Sequence, residues 1–240
     1  MLFRSVSQSR YAVIIETNGR RRAQKWWLPS GVLESDVLAA YQFKNSISET
    51  SSYNNLVNPG TYTLYKNNAN VGWVIDKGVF IPAYHKAGLD GFGKGYISCA
   101  IRFSDVDVNA NTEIGLTSPI NGYYLSAKTA SGSTYYKTPG CSKALSENQP
   151  LSRSNESMSN GVLGYTRSLD KLYQNGVLKT LTTSNWTTAG SPYYCSIGNA
   201  TRQSAPARTM GTVYIQAVVF YDVALSDDQH AELAEKMNAN

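Results

Sequence analysis

The 240-residue chain is 42% hydrophobic and only 16% charged, which gives it enough apolar material for one large or two small folded domains and excludes a globally disordered chain. Its net charge of +5 is unevenly placed: residues 1–34 carry six basic and two acidic side chains, and the rest of the chain holds 16 basic and 15 acidic ones. The body therefore lacks the basic stripe of a nucleic-acid-binding domain, no run of 18 apolar residues is present to insert in a membrane, and the start MLFRSVSQSR lacks the apolar centre of a signal peptide. The expectation is a soluble chain made without classical secretion.

Taken in chain order, Tyr11–Thr17 and Arg20–Leu28 flank Asn18-Gly19 and predict a hairpin, because Asn and Gly both tolerate the positive φ of a tight type I′ turn. Trp26 and Trp27 sit side by side at its end, so on a strand one indole would face inward and the other would need a different surface: the body, a neighbouring subunit or another protein. The turn signal Pro29-Ser30-Gly31 then places a boundary near Gly31–Ser35, dividing a basic hairpin arm, residues 1–34, from a domain over residues 35–240. Within the domain, strands are predicted at Val37–Lys44, Val79–Pro82, Tyr96–Phe103, Glu113–Leu116, Gly122–Lys128 and Gly161–Arg167. A second Asn-Gly hairpin joins Lys171–Gln174 to Val177–Thr180, and strands follow at Tyr193–Gly198 and Thr212–Tyr221. The near-continuous apolar run Val213–Tyr221 suggests a strand covered on both faces. One helix closes the chain: Ser226 and Gln229 make a capping box, Asp227 and Asp228 suit the positive end of the helix dipole, and His230, Leu233, Ala234 and Met237 recur on one face.

Leu38-Ala39-Ala40-Tyr41-Gln42-Phe43 and the polar stretch through Asn54-Asn55-Leu56 resemble the opening strand and loop of concanavalin A-like jelly-roll domains of the laminin G-like kind. Leu172 to Leu178 is similar to their late hairpin, Ser196-Ile197-Gly198-Asn199 to the strand after it, and Val218 to Ser226 to their last strand entering a C-terminal helix. The resemblance implies an all-β fold: a two-sheet antiparallel jelly-roll sandwich, here with an N-terminal β-hairpin arm and a short C-terminal helix. Lys25-Trp26-Trp27-Leu28-Pro29 leading to Ala40-Tyr41-Gln42, with Asn58-Pro59-Gly60-Thr61-Tyr62 downstream, is also similar to jelly-roll proteins of phage and prophage genomes. That likeness implies a noncatalytic virion protein, a capsid decoration, head fibre or tail component, whose lectin-like body contacts host-surface glycans. The alternatives are a bacterial carbohydrate-binding module or a polysaccharide-degrading enzyme of the same fold.

The enzyme reading meets an obstacle in the sequence. Glycoside hydrolysis needs two opposed carboxyl groups, and hydrolases of this fold commonly carry them as E-x-D-x-x-E. Here Glu34-Ser35-Asp36 is followed by Val37-Leu38-Ala39, with Ala in place of the second Glu. Asp105, Asp107 and Asn109 are the candidate Ca²⁺ ligands, in a run that fails as an EF-hand because its sixth position is Ala110 and its twelfth is Leu116. The competing reading is a solvated loop, and no cofactor is required. Gly88-x4-Gly93-Lys94 imitates a phosphate loop but continues into Gly95 and a strand, so it reads as a flexible turn.

His85 and His230 read as structural, as do the thiols of Cys99 and Cys195 in apolar runs. Among the seventeen tyrosines and four tryptophans, Trp186 in the polar loop Thr182–Ser191 and Tyr135-Tyr136 beside Gly132 and Pro139-Gly140 are the candidates for stacking on a sugar ring. Arg20, Arg21, Arg22, Trp26 and Trp27 are the candidates for an assembly interface, with other virion proteins or a second copy as partner.

Overall fold

A computed structural model describes residues 13–15, 21–23, 25–81, 88–92, 95–105, 113–117, 124–129, 137–142, 149–154, 160–166, 168–188, 195–198 and 212–240. The first half contributes β1 (Val13–Ile15), β2 (Arg21–Ala23), β3 (Val37–Gln42), a short helix α1 (Glu49–Ser52), β4 (Tyr65–Lys66), β5 (Gly72–Val74), β6 (Gly78–Ile81), β7 (Gly88–Phe92), β8 (Ser98–Ser104) and β9 (Glu113–Thr117). The second half contributes β10 (Tyr124–Thr129), β11 (Lys137–Ser142), β12 (Gln149–Ser154), β13 (Gly161–Thr166), β14 (Lys171–Gln174), β15 (Val177–Lys179), β16 (Leu181–Thr188), β17 (Cys195–Gly198), β18 (Val213–Tyr221) and α2 (Asp227–Ala239).

These strands make the expected antiparallel sandwich. Sheet I runs β16-β12-β11-β10-β9-β17-β7-β4, and sheet II runs β15-β14-β13-β8-β18-β6-β5 with β3 also paired to β18. Leu89, Leu116 and Ile197 from sheet I meet Tyr41, Ile101, Phe103, Leu163, Tyr165 and Phe220 from sheet II in one inter-sheet core. A second core lies on the opposite face of sheet II, where Ala100, Val162, Val219 and Tyr221 are covered by Trp26, Val32, Leu233 and Met237.

β18 shows how one apolar run serves both cores. Val213 and Ile215 point between the sheets, as do Val218 and Phe220, while Ala217, Val219 and Tyr221 point to the second core. Strict alternation would not allow that sequence of faces, and a register shift between Ile215 and Ala217 resolves it. The carbonyl of the intervening Gln216 accepts the backbone N–H groups of Phe43 at 2.8 Å and Lys44 at 3.0 Å.

The Asn175-Gly176 hairpin forms as its chemistry requires, with φ of 50° and 80° at the two turn residues and Gln174 paired to Val177. A side chain at Gly176 would come within 2.7 Å of the Ala231 Cα, so glycine also lets this turn touch α2. Ser226 caps α2 as expected, its oxygen accepting the Gln229 N–H at 3.2 Å while the Gln229 amide oxygen accepts the Ser226 N–H at 2.9 Å.

Several expectations change. Gly88–Phe92 is strand β7 and not a flexible turn, because it is held between β4 and β17. The segment containing Trp186 is not a loop: Leu181–Thr188 is an edge strand paired to β12. Strands β11 and β12 carry Pro139 and Pro150, residues that argue against a strand when read locally. The β11–β12 ladder is described at Gly140–Arg153 and Cys141–Ser152, so Pro139 lies beyond it.

Candidate binding face

Burial of Leu89, Leu116 and Ile197 in the inter-sheet core fixes the faces of β7, β9 and β17. Their sequence neighbours must lie on the outer face of sheet I. Cross-strand register then aligns two rows there. Tyr65 pairs with Asp90, and Asp90 pairs with Ser196. In the adjacent row Gly88 pairs with Gly198, Gly198 with Gly115, Gly115 with Ser126, and Ser126 with Gly140. Glycine at four of those five positions leaves backbone without side chains along the row, which permits close approach of another molecule wherever the row is open. Gly88 itself is buried.

The end of these rows at β4 carries the functional groups. Tyr65 is exposed, at 58%. Asn67 bridges the two rows: its side-chain oxygen accepts the Gly88 N–H at 2.8 Å, and its amide nitrogen donates to the Asp90 carboxylate at 3.2 Å. Burial raises the Asp90 carboxyl above its ordinary range, and the hydrogen bond from Asn67 opposes that rise. An aromatic face, a carboxylate acceptor and an amide on one small surface are the groups that recognise a ring with hydroxyls on its edge.

The residues singled out from sequence are placed differently. Tyr135 and Tyr136 lie outside the described residues. Trp186 falls on the edge strand β16, in the irregularity where Ser184 to Trp186 stand opposite Leu151 of β12. That is the far edge of sheet I from Tyr65. Asp105 is exposed, has φ of 55° and lies 4.0 Å from the Lys77 ammonium, while Asp107 and Asn109 lie outside the described residues. Among the described residues no group of three or more His, Cys, Asp or Glu side chains is disposed to hold a metal ion.

Arg20 is also outside the described residues, and Arg21 and Arg22 belong to β2, which pairs with β1 in a separate two-stranded sheet. Trp26 is turned into its own chain. It is 5% exposed and packs inside its own chain's second core, with Trp27 half-buried against it edge to face at 5.7 Å. The segment after it is bound to the body as well: Tyr221 donates to the Trp27 carbonyl at 2.8 Å, Lys236 to the Leu28 carbonyl at 2.8 Å, and the Ser30 N–H to Glu232 at 2.8 Å.

One further cluster has the residue types of nucleophilic chemistry. The His230 Nε2 lies 2.8 Å from the Thr166 hydroxyl, which lies 3.0 Å from the Ser98 hydroxyl. All three are buried beneath α2, and burial pushes the His230 imidazole down to about 3. They tie helix to sheet. Cys99 is a free, fully buried thiol whose pKa is raised by that burial, as befits a core residue.

Tyr65, Asn67 and Asp90 were not foreseen because the register that gathers them joins β4, β7 and β17, which are far apart in sequence. The local signal was the alternation Gly88-Leu89-Asp90, which carries a small, an apolar and a charged residue at strand spacing.

No family model matches this chain, and no curated protein does. Solved structures do. The binding domain of botulinum neurotoxin D/C in complex with rat synaptotagmin II aligns with a TM-score of 0.52 and 11% identity, over 86% of this chain and 52% of that one. The binding domain of botulinum neurotoxin serotype D/C from VPI 5993 aligns with a TM-score of 0.52 and 11% identity, over 85% and 53%. The chain therefore spans about half the length of these toxin domains. At such identity the likeness is one of fold alone, and the class it defines is an antiparallel β-sandwich.

Proposed function

We propose that this chain is a noncatalytic, lectin-like binding module that takes a glycan on the outer face of sheet I, at the end formed by Tyr65, Asn67 and Asp90. The observation that carries this reading is the register Tyr65–Asp90–Ser196 beside the row Gly88–Gly198–Gly115. A sugar ring stacked on Tyr65 can direct hydroxyls to the Asp90 carboxylate, with the Asn67 amide beside it. The failed E-x-D-x-x-E pattern supports a binding role over hydrolysis. In the setting we propose, a phage or prophage virion, the N-terminal hairpin mounts the domain on other virion proteins or on a second copy.

A glycan array tests the ligand class. Wild-type protein should bind a restricted set of glycans, and Tyr65→Ala and Asp90→Ala should each lower that binding at least about tenfold, the loss of one or two good contacts. Binding unaltered in both variants would move the site elsewhere, and no glycan bound at all would remove the lectin reading. Release of reducing sugar from capsule or cell-wall polysaccharide would overturn the noncatalytic assignment. Capsid, portal or tail genes beside this one would support the virion setting, and polysaccharide-utilisation genes there would remove it.

A further inference from the structure

The helix α2 and the strap of residues 25–33 form a layer of their own over sheet II. They are tied to each other as well as to the sheet: Ser30 donates to Glu232 through its N–H at 2.8 Å and its hydroxyl at 3.1 Å, the Gln229 amide donates to the Ser30 carbonyl at 3.1 Å, and Lys236 donates to the Leu28 carbonyl. Besides the hydrogen bonds from Tyr221 to the Trp27 carbonyl and from Arg102 to the Met237 carbonyl at 2.7 Å, two kinds of contact hold this layer down. One is the second core, which is apolar. The other is a buried polar cluster centred on His230.

In that cluster the Leu225 carbonyl accepts the Thr166 hydroxyl proton at 3.3 Å, and the Ser98 hydroxyl accepts the Leu225 N–H at 3.0 Å. With the Thr166 proton on the Leu225 carbonyl, Thr166 accepts the His230 Nε2–H and Nδ1 takes a second proton; with that proton on Nε2, the roles of the two ring nitrogens exchange, and in either tautomer the second proton makes a buried imidazolium. Nδ1 faces Gly164 so closely that a side-chain carbon there would come within 2.6 Å. The ring lies flat on Tyr173, with centroids 3.9 Å apart. The groups that face it are Asp227 of its own helix, Lys171 and Tyr173 of β14, Thr166 and Gly164 of β13, and Ser98 of β8. Asp227 would favour an imidazolium and Lys171 opposes it, and Asp227 is already engaged by Lys171 at 2.6 Å and by the Tyr173 hydroxyl at 2.8 Å.

We infer that this layer is an acid-sensitive latch: a second proton on His230 lifts the C-terminal helix and the 25–33 strap together from sheet II, uncovering the second core while the inter-sheet core stays closed. The physical reason is that a charged imidazole buried here, flat on Tyr173 and beneath the helix, loses its hydration, and the one carboxylate near it, Asp227, is already engaged by Lys171 and Tyr173. Once the helix lifts, the imidazole is solvated and takes the proton freely. The two cores share β18 but not their side chains, so losing one layer leaves the other's packing in place.

Hydrogen exchange on the full chain from pH 7 to pH 3, for wild type and His230→Gln, tests this. Gln keeps an amide that can donate to Thr166 but does not titrate. In wild type, protection of residues 227–239 and 26–32 should be lost at least about one pH unit above the loss in β8 and β18, and in His230→Gln that gap should close. Simultaneous loss in the helix and both strands of wild type, or an unchanged gap in His230→Gln, overturns the proposal. Should His230→Gln fail to fold, the wild-type imidazole decides by NMR: a resonance that titrates only as the helix loses protection supports the latch, and one that titrates near 6.5 with the helix still protected refutes it.

Discussion

The outer faces of the two sheets are opposites. On sheet II the outward positions hold Val162, Val219 and Tyr221, and the chain covers them with Trp26, Leu233 and Met237. On sheet I the outward row through the same stack reads Gly88, Gly198, Gly115, Ser126, Gly140, with Tyr65, Asn67 and Asp90 at one end. Apolar bulk on a sheet face is what the chain needs in order to seal a layer of its own onto it. Glycine and polar residues in register do nothing for such a seal, and they are what a surface for another molecule requires. Under the proposed function the contrast separates stability from recognition, and substitutions on each face can break that separation.

The largest effect belongs to the sealed face. Leu233 is fully buried in the second core, so Leu233→Ala should cost about 2–5 kcal/mol in a denaturant titration, as lost transfer energy plus a cavity. A loss below about 1 kcal/mol would mean that α2 is an appendage and not part of the core. Acid should act on the same face. The His230 imidazole sits at about 3 in the folded protein against 6.5 for the free side chain. Between those values the unfolded chain binds the extra proton and the folded one does not, so stability falls as pH falls, by up to about 1.4 kcal/mol per pH unit. A stability profile flat from pH 6.5 to 4 would contradict this. Next in size is the helix cap, where Ser226→Ala should cost about 1 kcal/mol by leaving the Gln229 N–H without its acceptor, read as a shift in the same denaturant midpoint.

How much of this was legible in the sequence follows from how local each signal is. The α2 helix was readable to its buried face, because cap, charge and periodicity all act within four residues; His230, Leu233, Ala234 and Met237 are its buried side chains. The two faces of β18 were readable from its apolar run, but the bulge at Gln216 was not, since it answers to partners on β3 and β8. Strands β7, β11, β12 and β16 were missed for one physical reason. Their Gly, Pro, Ser and Asn residues favour turns locally, and the strand state comes from ladders to neighbours in sheet I. Which of the surfaces open to the arm's indoles Trp26 takes was not legible, because hairpin grammar carries no information about it; Trp26 packs on the body. The Tyr65–Asp90–Ser196 row was invisible for the same reason as those ladders: only the register of distant strands creates it.

The smallest expected effect on stability is the most informative about function. Gly198 lies in the middle of the glycine row, paired to Gly88 on one side and Gly115 on the other, with its neighbour Ile197 pointing into the core. Adding a methyl group there with Gly198→Ala removes nothing from either core, and stability should stay within about 0.5 kcal/mol of wild type. A ligand lying along the row would meet that methyl directly, so affinity for any glycan bound by the wild type should fall at least about tenfold. Gly176→Ala is the matched control. It strains a residue at φ of 80° against α2, and it should destabilise the fold by about 1 kcal/mol or more while leaving that affinity unchanged. If both glycines alter stability and neither alters binding, the two faces do not divide the work, and the row on sheet I is part of the scaffold.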